Sequence, residues 1–211
     1  MKVSEIFLSI QGESTYAGLP CVFIRLTGCN MRCTYCDTRY AYTGGYERSI
    51  DEIVNAVQSY SIPLVEITGG EPLLQAETPM LVKRLIDMGF HVLIETNGSM
   101  SIRGMDSRAI VIMDIKTPRS GEADKLNVEN IGLLKKTDEV KFVITGREDY
   151  LWAKDMLERY SLDKRCPVLF SPACGVLNPD TLASWIIKDR LPVRLNLQMH
   201  KYIFGMDKRG V

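Results

Sequence analysis

Three of the six cysteines fall within eight residues, in Gly28-Cys29-Asn30-Met31-Arg32-Cys33-Thr34-Tyr35-Cys36-Asp37-Thr38, with the spacing Cys-x3-Cys-x2-Cys. Thiolates are soft ligands, and three on one short loop can wrap a single compact cluster. A cubane held by four cysteines is coordinatively saturated and can only pass electrons. With three, one iron stays open to a small molecule that offers nitrogen and oxygen. The plainer alternative is a zinc site completed by a distant fourth ligand. Zinc sites more often pair two Cys-x2-Cys elements, and no second such pair occurs. Cys166 and Cys174 are separated by seven residues, and His91 and His200 stand far apart. Cys21, Cys166 and Cys174 are expected to be buried, acting as small apolar residues.

Further chemistry lies outside this loop. In Gly69-Gly70-Glu71-Pro72 the two glycines let backbone carbonyls approach a ligand closely, and Glu71 offers a charge suited to an ammonium group. Arg25 sits inside the apolar run Cys21–Thr27, where a guanidinium is costly unless an anion meets it. That anion is either an internal carboxylate, making a salt bridge, or a substrate carboxylate, for which the bidentate fork is well shaped. Near the C-terminus the alternation of Leu195 to His200 places Asn196, Gln198 and His200 on one strand face, a polar row suited to a substrate-facing wall.

These residues need elements to position them. Cys21–Thr27 reads as a strand, followed by short apolar runs at Leu64–Thr68, His91–Thr96, Ile110–Lys116, Val140–Thr145, Val168–Ser171 and Val193–Met199. Helical patterns separate them. Ser49 and Glu52 form a capping box ahead of Ile53, Val54 and Val57. Leu81, Val82, Leu85 and Ile86 make a stripe stopped by Gly89. Tyr150–Tyr160 and Pro179–Lys188 follow, with Pro179 at a first helical position. The alternation predicts βαβ units and a parallel sheet. A closed eight-fold barrel needs ~250 residues, so 211 residues predict an open, partial α/β barrel of about six units, one domain over residues 1–211. Ligands should gather at the C-terminal ends of its strands.

Composition narrows the classes. Twenty-six basic residues against 26 acidic remove the bulk electrostatic argument for a nucleic-acid or membrane-surface binder. The longest apolar run, Ala109–Met113, is five residues against the ~20 of a membrane span. No signal-peptide-like stretch follows Met1, so a cytoplasmic protein is expected.

The cysteine spacing, with Tyr35 before the last cysteine, resembles the signature of the radical S-adenosylmethionine (SAM) enzymes, and Gly69-Gly70-Glu71-Pro72 strengthens the likeness. Ile10-Gln11-Gly12-Glu13, Phe23-Ile24-Arg25, Cys36-Asp37-Thr38 and Gln198-Met199-His200-Lys201 resemble, more narrowly, the 7-carboxy-7-deazaguanine synthase family over nearly the whole chain. That resemblance implies a homodimeric lyase of queuosine-type biosynthesis that converts 6-carboxy-5,6,7,8-tetrahydropterin to 7-carboxy-7-deazaguanine. It implies Mg2+, SAM regenerated each turn, and an electron donor such as a flavodoxin or ferredoxin.

By residue, it implies that Cys29, Cys33 and Cys36 bind a [4Fe-4S] cluster, and that Thr38 offers its hydroxyl to Mg2+. Tyr35, Asp37, Gly69, Gly70 and Glu71 would line SAM. Ile10, Gln11, Gly12, Glu13, Arg25, Thr68, Gln198 and His200 would hold the pterin and its carboxylate. Asp114 and Lys116 match an Asp-x-Lys before a SAM-binding turn, or are a charged strand terminus. Ser171, in Ser171-Pro172-Ala173-Cys174, would touch SAM, and Asn97 would face the ribose or shape an Asn-Gly turn. A radical drawn from SAM does the hard chemistry, so no side chain is expected to be an acid–base catalyst. A glycyl-radical-enzyme activase, acting on a polypeptide, and a non-catalytic metal or electron-transfer module are the rival readings.

Overall fold

The structure, a computed structural model, describes residues 1–206 and 208–211. Its strands are β1 (Lys2–Ile10), β2 (Pro20–Leu26), β3 (Tyr46–Glu47), β4 (Leu64–Gly69), β5 (His91–Thr96), β6 (Ile110–Asp114), β7 (Glu139–Ile144), β8 (Val168–Pro172) and β9 (Arg194–Leu195). The helices are α1 (Ile50–Gln58), α2 (Thr78–Asp87), α3 (Glu129–Leu133), α4 (Arg147–Tyr160), α5 (Pro179–Asp189) and α6 (Met199–Phe204). One sheet runs in the order β3-β1-β2-β4-β5-β6-β7-β8-β9, with β3 and β9 at its two edges. From β2 to β9 every neighbouring pair is parallel, and β1 pairs antiparallel with both β2 and β3. The sheet is open, an incomplete barrel.

Its two faces differ, and that difference makes the site. Side chains alternate across a strand. Val22 and Ile24 of β2, Val65 and Ile67 of β4, Val92 and Ile94 of β5, Val111 and Met113 of β6, and Val140 and Phe142 of β7 pack into the main core. That core also takes Ile53, Val54 and Val57 of α1 and Leu81, Val82 and Leu85 of α2. The opposite face starts apolar, with Cys21, Leu64, Leu93 and Ile112 in a second, small cluster. Further along the same strands, toward their C-terminal ends, it carries Arg25, Glu66, Thr68, Glu95, Asp114 and Lys141. On β4, β5 and β6 the apolar residues of this face therefore give way to polar ones toward the C-terminal ends.

Local signals worked where they were strong. Ser49 Oγ accepts from the Glu52 N–H at 3.2 Å, while the Glu52 carboxylate accepts from the Ser49 N–H at 2.7 Å, completing the capping box. Pro179 opens α5 behind Asn178. Strand β1 has no counterpart in the sequence reading, because its apolar residues (Val3, Ile6, Phe7, Leu8, Ile10) do not alternate. The register against β2 shifts between Val3 and Glu5, a bulge that breaks the period of two. The long strand expected at Val193–Met199 is also corrected. Its ladder stops after Arg194–Leu195, and Met199 begins α6. Leu195, Leu197 and Met199 stay more than a third exposed, so no buried face requires extended backbone there. Instead the Met199 N–H donates to the Gly12 carbonyl at 2.7 Å, which turns the chain toward the pocket.

Candidate active site

A cavity of about 320 Å3 opens at the C-terminal ends of the parallel strands. Cys29, Cys33 and Cys36 line it together with Tyr35, Asp37 and Thr38. All three thiols are free. The loop that carries them is pinned at several points. The Arg32 N–H donates to Glu122 at 2.6 Å, the Thr34 N–H donates to the Ser120 carbonyl at 3.0 Å, and Met31 is buried beneath. The Arg32 guanidinium lies 4.3 Å over the Tyr42 ring. Among the described residues no three His, Cys, Asp or Glu side chains converge tightly enough to grip a single metal ion. In a [4Fe-4S] cluster each thiolate binds its own iron, so three thiols on one loop can supply three of its four corners. Burial pushes the Cys33 thiol up to about 11 and raises that of Cys29, so a bound cation is what would hold them ionised.

Beside the thiols the Gly69-Gly70 backbone is packed without room for a side chain. A Cβ on Gly70 would lie 2.1 Å from the Gly28 carbonyl oxygen and 2.7 Å from the Cys29 Cβ. Glu71 departs from expectation. It is fully buried and does not line the cavity. Its carboxylate accepts from the Thr96 hydroxyl at 2.8 Å and from the Asn97 and Leu73 N–H groups at 2.7 and 3.0 Å. Glu71 thus ties the turn after β4 to the end of β5. Asn97 lines the cavity and also accepts from the Ser99 N–H at 2.9 Å, so it shapes the turn as well. Asp114 and Lys116, 3.0 Å apart, both line the cavity, and Asp114 Oδ1 is buried without a hydrogen-bond partner. An unmatched acceptor in a polar wall suits a bound polar group. Ser171 is a second correction: it is buried outside the cavity wall and donates to Asn196 at 3.1 Å, while Ala173 and Cys174 line the wall in its place. Cys174 is therefore not the buried residue expected, whereas Cys21 and Cys166 are.

Ile10, Gln11, Gly12, Glu13, Arg25, Thr68, Gln198 and His200 all line the cavity. Gln198 and His200 arrive on the start of α6 and not on a strand face. A Cβ on Gly12 would lie 2.2 Å from His200 Nδ1, so this glycine is what admits the imidazole. Burial lowers the His200 pKa against the pull of Glu13, which favours the neutral ring. Arg25 donates through Nε to Glu5 at 2.7 Å, the internal salt bridge that the sequence left open. Thr38 donates to Asp37 at 2.8 Å, and Asp37 is paired with Lys201.

The group that the sequence reading missed is a buried charge cluster. Lys141, 4% exposed, reaches Glu13 at 2.6 Å and Asp114 at 3.4 Å, and also pairs with Glu95. Thr68 donates to Glu95 at 3.1 Å, and the Gln11 amide donates to buried Glu66. Burial raises the Glu66 pKa, with Glu95 adding to it; at Glu13 burial acts in the same direction, but the Lys141 ammonium beside it outweighs burial and lowers the pKa. The signal was available. Glu66, Glu95 and Lys141 each interrupt an apolar strand as Arg25 does, and the same cost of burial applies to all four.

An incomplete parallel barrel with three cysteines on the loop after its first parallel strand, beside a glycine cradle, defines a radical SAM protein, and the Radical SAM superfamily model matches residues 23–113. The chain is 45% identical to a 7-carboxy-7-deazaguanine synthase of Chlorobaculum tepidum, covering 100% of this chain and 97% of the relative. It is 40% identical to one from Thermoplasma acidophilum over 100% of both chains. The chain belongs to the 7-carboxy-7-deazaguanine synthase family. The crystal structure of QueE from Escherichia coli superimposes with a TM-score of 0.76 over 94% of each chain at 24% identity. Streptococcus suis SuiB bound to S-adenosylmethionine shares the fold more distantly, with a TM-score of 0.58 over 83% of this chain and 51% of that one.

Proposed function

We propose that the protein binds 6-carboxy-5,6,7,8-tetrahydropterin in this cavity and converts it to 7-carboxy-7-deazaguanine, with Cys29, Cys33 and Cys36 holding a [4Fe-4S] cluster and the Gly69-Gly70 turn, Tyr35, Asn97, Asp114 and Lys116 lining SAM. One observation carries the reading. Beside the thiols, the cavity offers a guanidinium at Arg25 and acceptor groups at Gln11, Glu13, Glu66 and Glu95. Such a wall fits a ligand with a carboxylate at one end and a row of N–H donors at another, as this pterin has.

When bound, the cluster and SAM supply hydrogen abstraction by a radical, which no side chain here can perform. The chain's own residues place the reacting carbon. Arg25 holds the substrate carboxylate, and the carboxylates around Lys141 orient the pterin edge. The neutral His200 imidazole and Gln198 close the wall. Thr38 lines the cavity and donates to Asp37, which leaves its hydroxyl oxygen to serve as a ligand for Mg2+, a hard cation that would take oxygen donors and keep several waters.

Residues 1–211 act as one domain in the cytoplasm, two copies form a homodimer, and a flavodoxin or ferredoxin supplies electrons. Exposed Tyr202, Ile203 and Phe204 on α6 support a second copy as partner. No described helix is long and apolar enough to cross a membrane. Neither rival reading needs this cavity: an electron-transfer module has no use for it, and a polypeptide substrate has no use for a recessed Arg25.

The test is to incubate the reconstituted anaerobic protein with SAM, reductant, Mg2+ and the carboxy-tetrahydropterin and to detect the deazaguanine by mass. Arg25→Ala should retain the SAM-induced change in the cluster's EPR signal while losing at least about tenfold in turnover. Full turnover in that variant would refute the assignment.

A further inference from the structure

Arg25 lines the cavity, but the two groups that hold it do not. Glu5 comes from β1 and stands opposite Arg25 in the β1–β2 ladder, just after the bulge. Without that extra residue the period of two would turn residue 5 to the other face. Glu5 Oε1 accepts from Arg25 Nε at 2.7 Å and from the Tyr40 hydroxyl at 2.8 Å. The guanidinium is flanked by two rings, its carbon 5.8 Å from the Phe7 centroid and 5.9 Å from that of Tyr40. The Phe7 ring is itself fixed by stacking on Phe23, with centroids 5.1 Å apart. Among the described residues, Nε is the only nitrogen of Arg25 with a hydrogen-bond partner. The guanidinium has five N–H donors in a rigid fork, so four remain for something else.

We propose that Glu5 and Tyr40 are positioning residues: Glu5 grips Arg25 at Nε and the Tyr40 hydroxyl holds Glu5, so that the two terminal nitrogens of Arg25 present a fixed fork to the carboxylate of a bound pterin. This rests on the reading of Arg25 as the carboxylate clamp and deepens it. A purely internal salt bridge would engage Nε and a terminal nitrogen together, as bidentate pairs do. Here the carboxylate takes only the Nε corner and is itself held by a phenol. A long arginine left without that grip samples many rotamers and meets a ligand less well.

The experiment compares two probes on the reconstituted holoenzyme by fluorescence titration: 6-carboxypterin, which bears the carboxylate, and unsubstituted pterin, which lacks it. Glu5→Ala should weaken 6-carboxypterin about tenfold and unsubstituted pterin less than twofold, in keeping with a charge-assisted contact. In turnover KM should rise about tenfold while kcat changes less than threefold, as loss of uniform binding does. Glu5→Gln, whose amide oxygen still accepts from Nε, should recover most of the loss. Tyr40→Phe should lose about threefold for the carboxylated probe alone.

Equal weakening of both probes, or no weakening of either, overturns the proposal. Arg25→Ala separates the layers. If that variant also fails to distinguish the probes, the clamp reading falls. If it distinguishes them and Glu5→Ala does not, only the positioning role falls. Should Glu5→Ala not fold, Glu5→Gln and Tyr40→Phe make the same comparison.

Discussion

Lys141 extends one ammonium group into carboxylates from three other segments: Glu13 from the loop after β1, Glu95 from β5 and Asp114 from β6. Charges this deep persist only when paired, because desolvating each costs several kcal/mol. Glu66 shares the wall but has the Gln11 amide as its hydrogen-bonding partner, so burial, with Glu95 adding to it, lifts its pKa to about 8. A carboxyl whose folded pKa lies above its unfolded value of ~4.3 stabilises the fold at low pH and loses that contribution as pH rises toward the folded value. Glu66→Gln removes the titration. Its stability relative to the parent protein should therefore rise by about 1–3 kcal/mol between pH 5 and pH 8, measured by denaturant unfolding of the ligand-free chain. Parallel stability profiles would show that Glu66 ionises normally.

At the scale of elements, the site depends on how strands and helices end. Helix α1 begins with the reciprocal Ser49–Glu52 cap and lays Ile53, Val54 and Val57 against the sheet. Ser49→Ala should cost about 1 kcal/mol, a fall of roughly 2–4 °C in Tm, with pterin turnover unchanged, since the cap lies outside the cavity. A loss of turnover with unchanged Tm would reverse that assignment. Strand β1 matters differently: its bulge brings Glu5 against Arg25, and its exit leads into the Gln11–Glu13 segment. Helix α6 begins where the Gly12 carbonyl captures Met199, so loops far apart in the chain set each other's shape.

For the whole molecule, cavity residues come from the ends of β2, β4, β5, β6 and β7, from the loop after β8, and from near both termini of the chain, including Phe7 and Val211. A ligand spanning them acts on global stability. Free SAM at a hundredfold excess over its Kd should stabilise the reconstituted protein by about 2.7 kcal/mol, raising Tm by roughly 5–10 °C in calorimetry. Cys36→Ala should abolish the shift by removing the cluster. A shift that survives would place SAM away from the cysteines.

The sequence by itself determined the elements whose signals are local: the capping box, the proline-led α5, the apolar runs of β4 to β8, and the Cys-x3-Cys-x2-Cys loop. These are legible because spacing and burial along one segment decide them. Tertiary structure alone decided which buried charges meet. Lys141 and Glu13 are 128 residues apart, and a carboxylate such as Glu71 can serve a ligand or its own neighbours' N–H groups with the same residue type. It also decided that β1 exists and that His200 sits on a helix, because a bulge breaks the period of two in β1 and the alternation of Leu195 to His200 meets no buried face that would hold it extended. Hydrogen-bond partnership is a property of proximity in space, and a linear pattern holds no record of it until the sheet closes the distance.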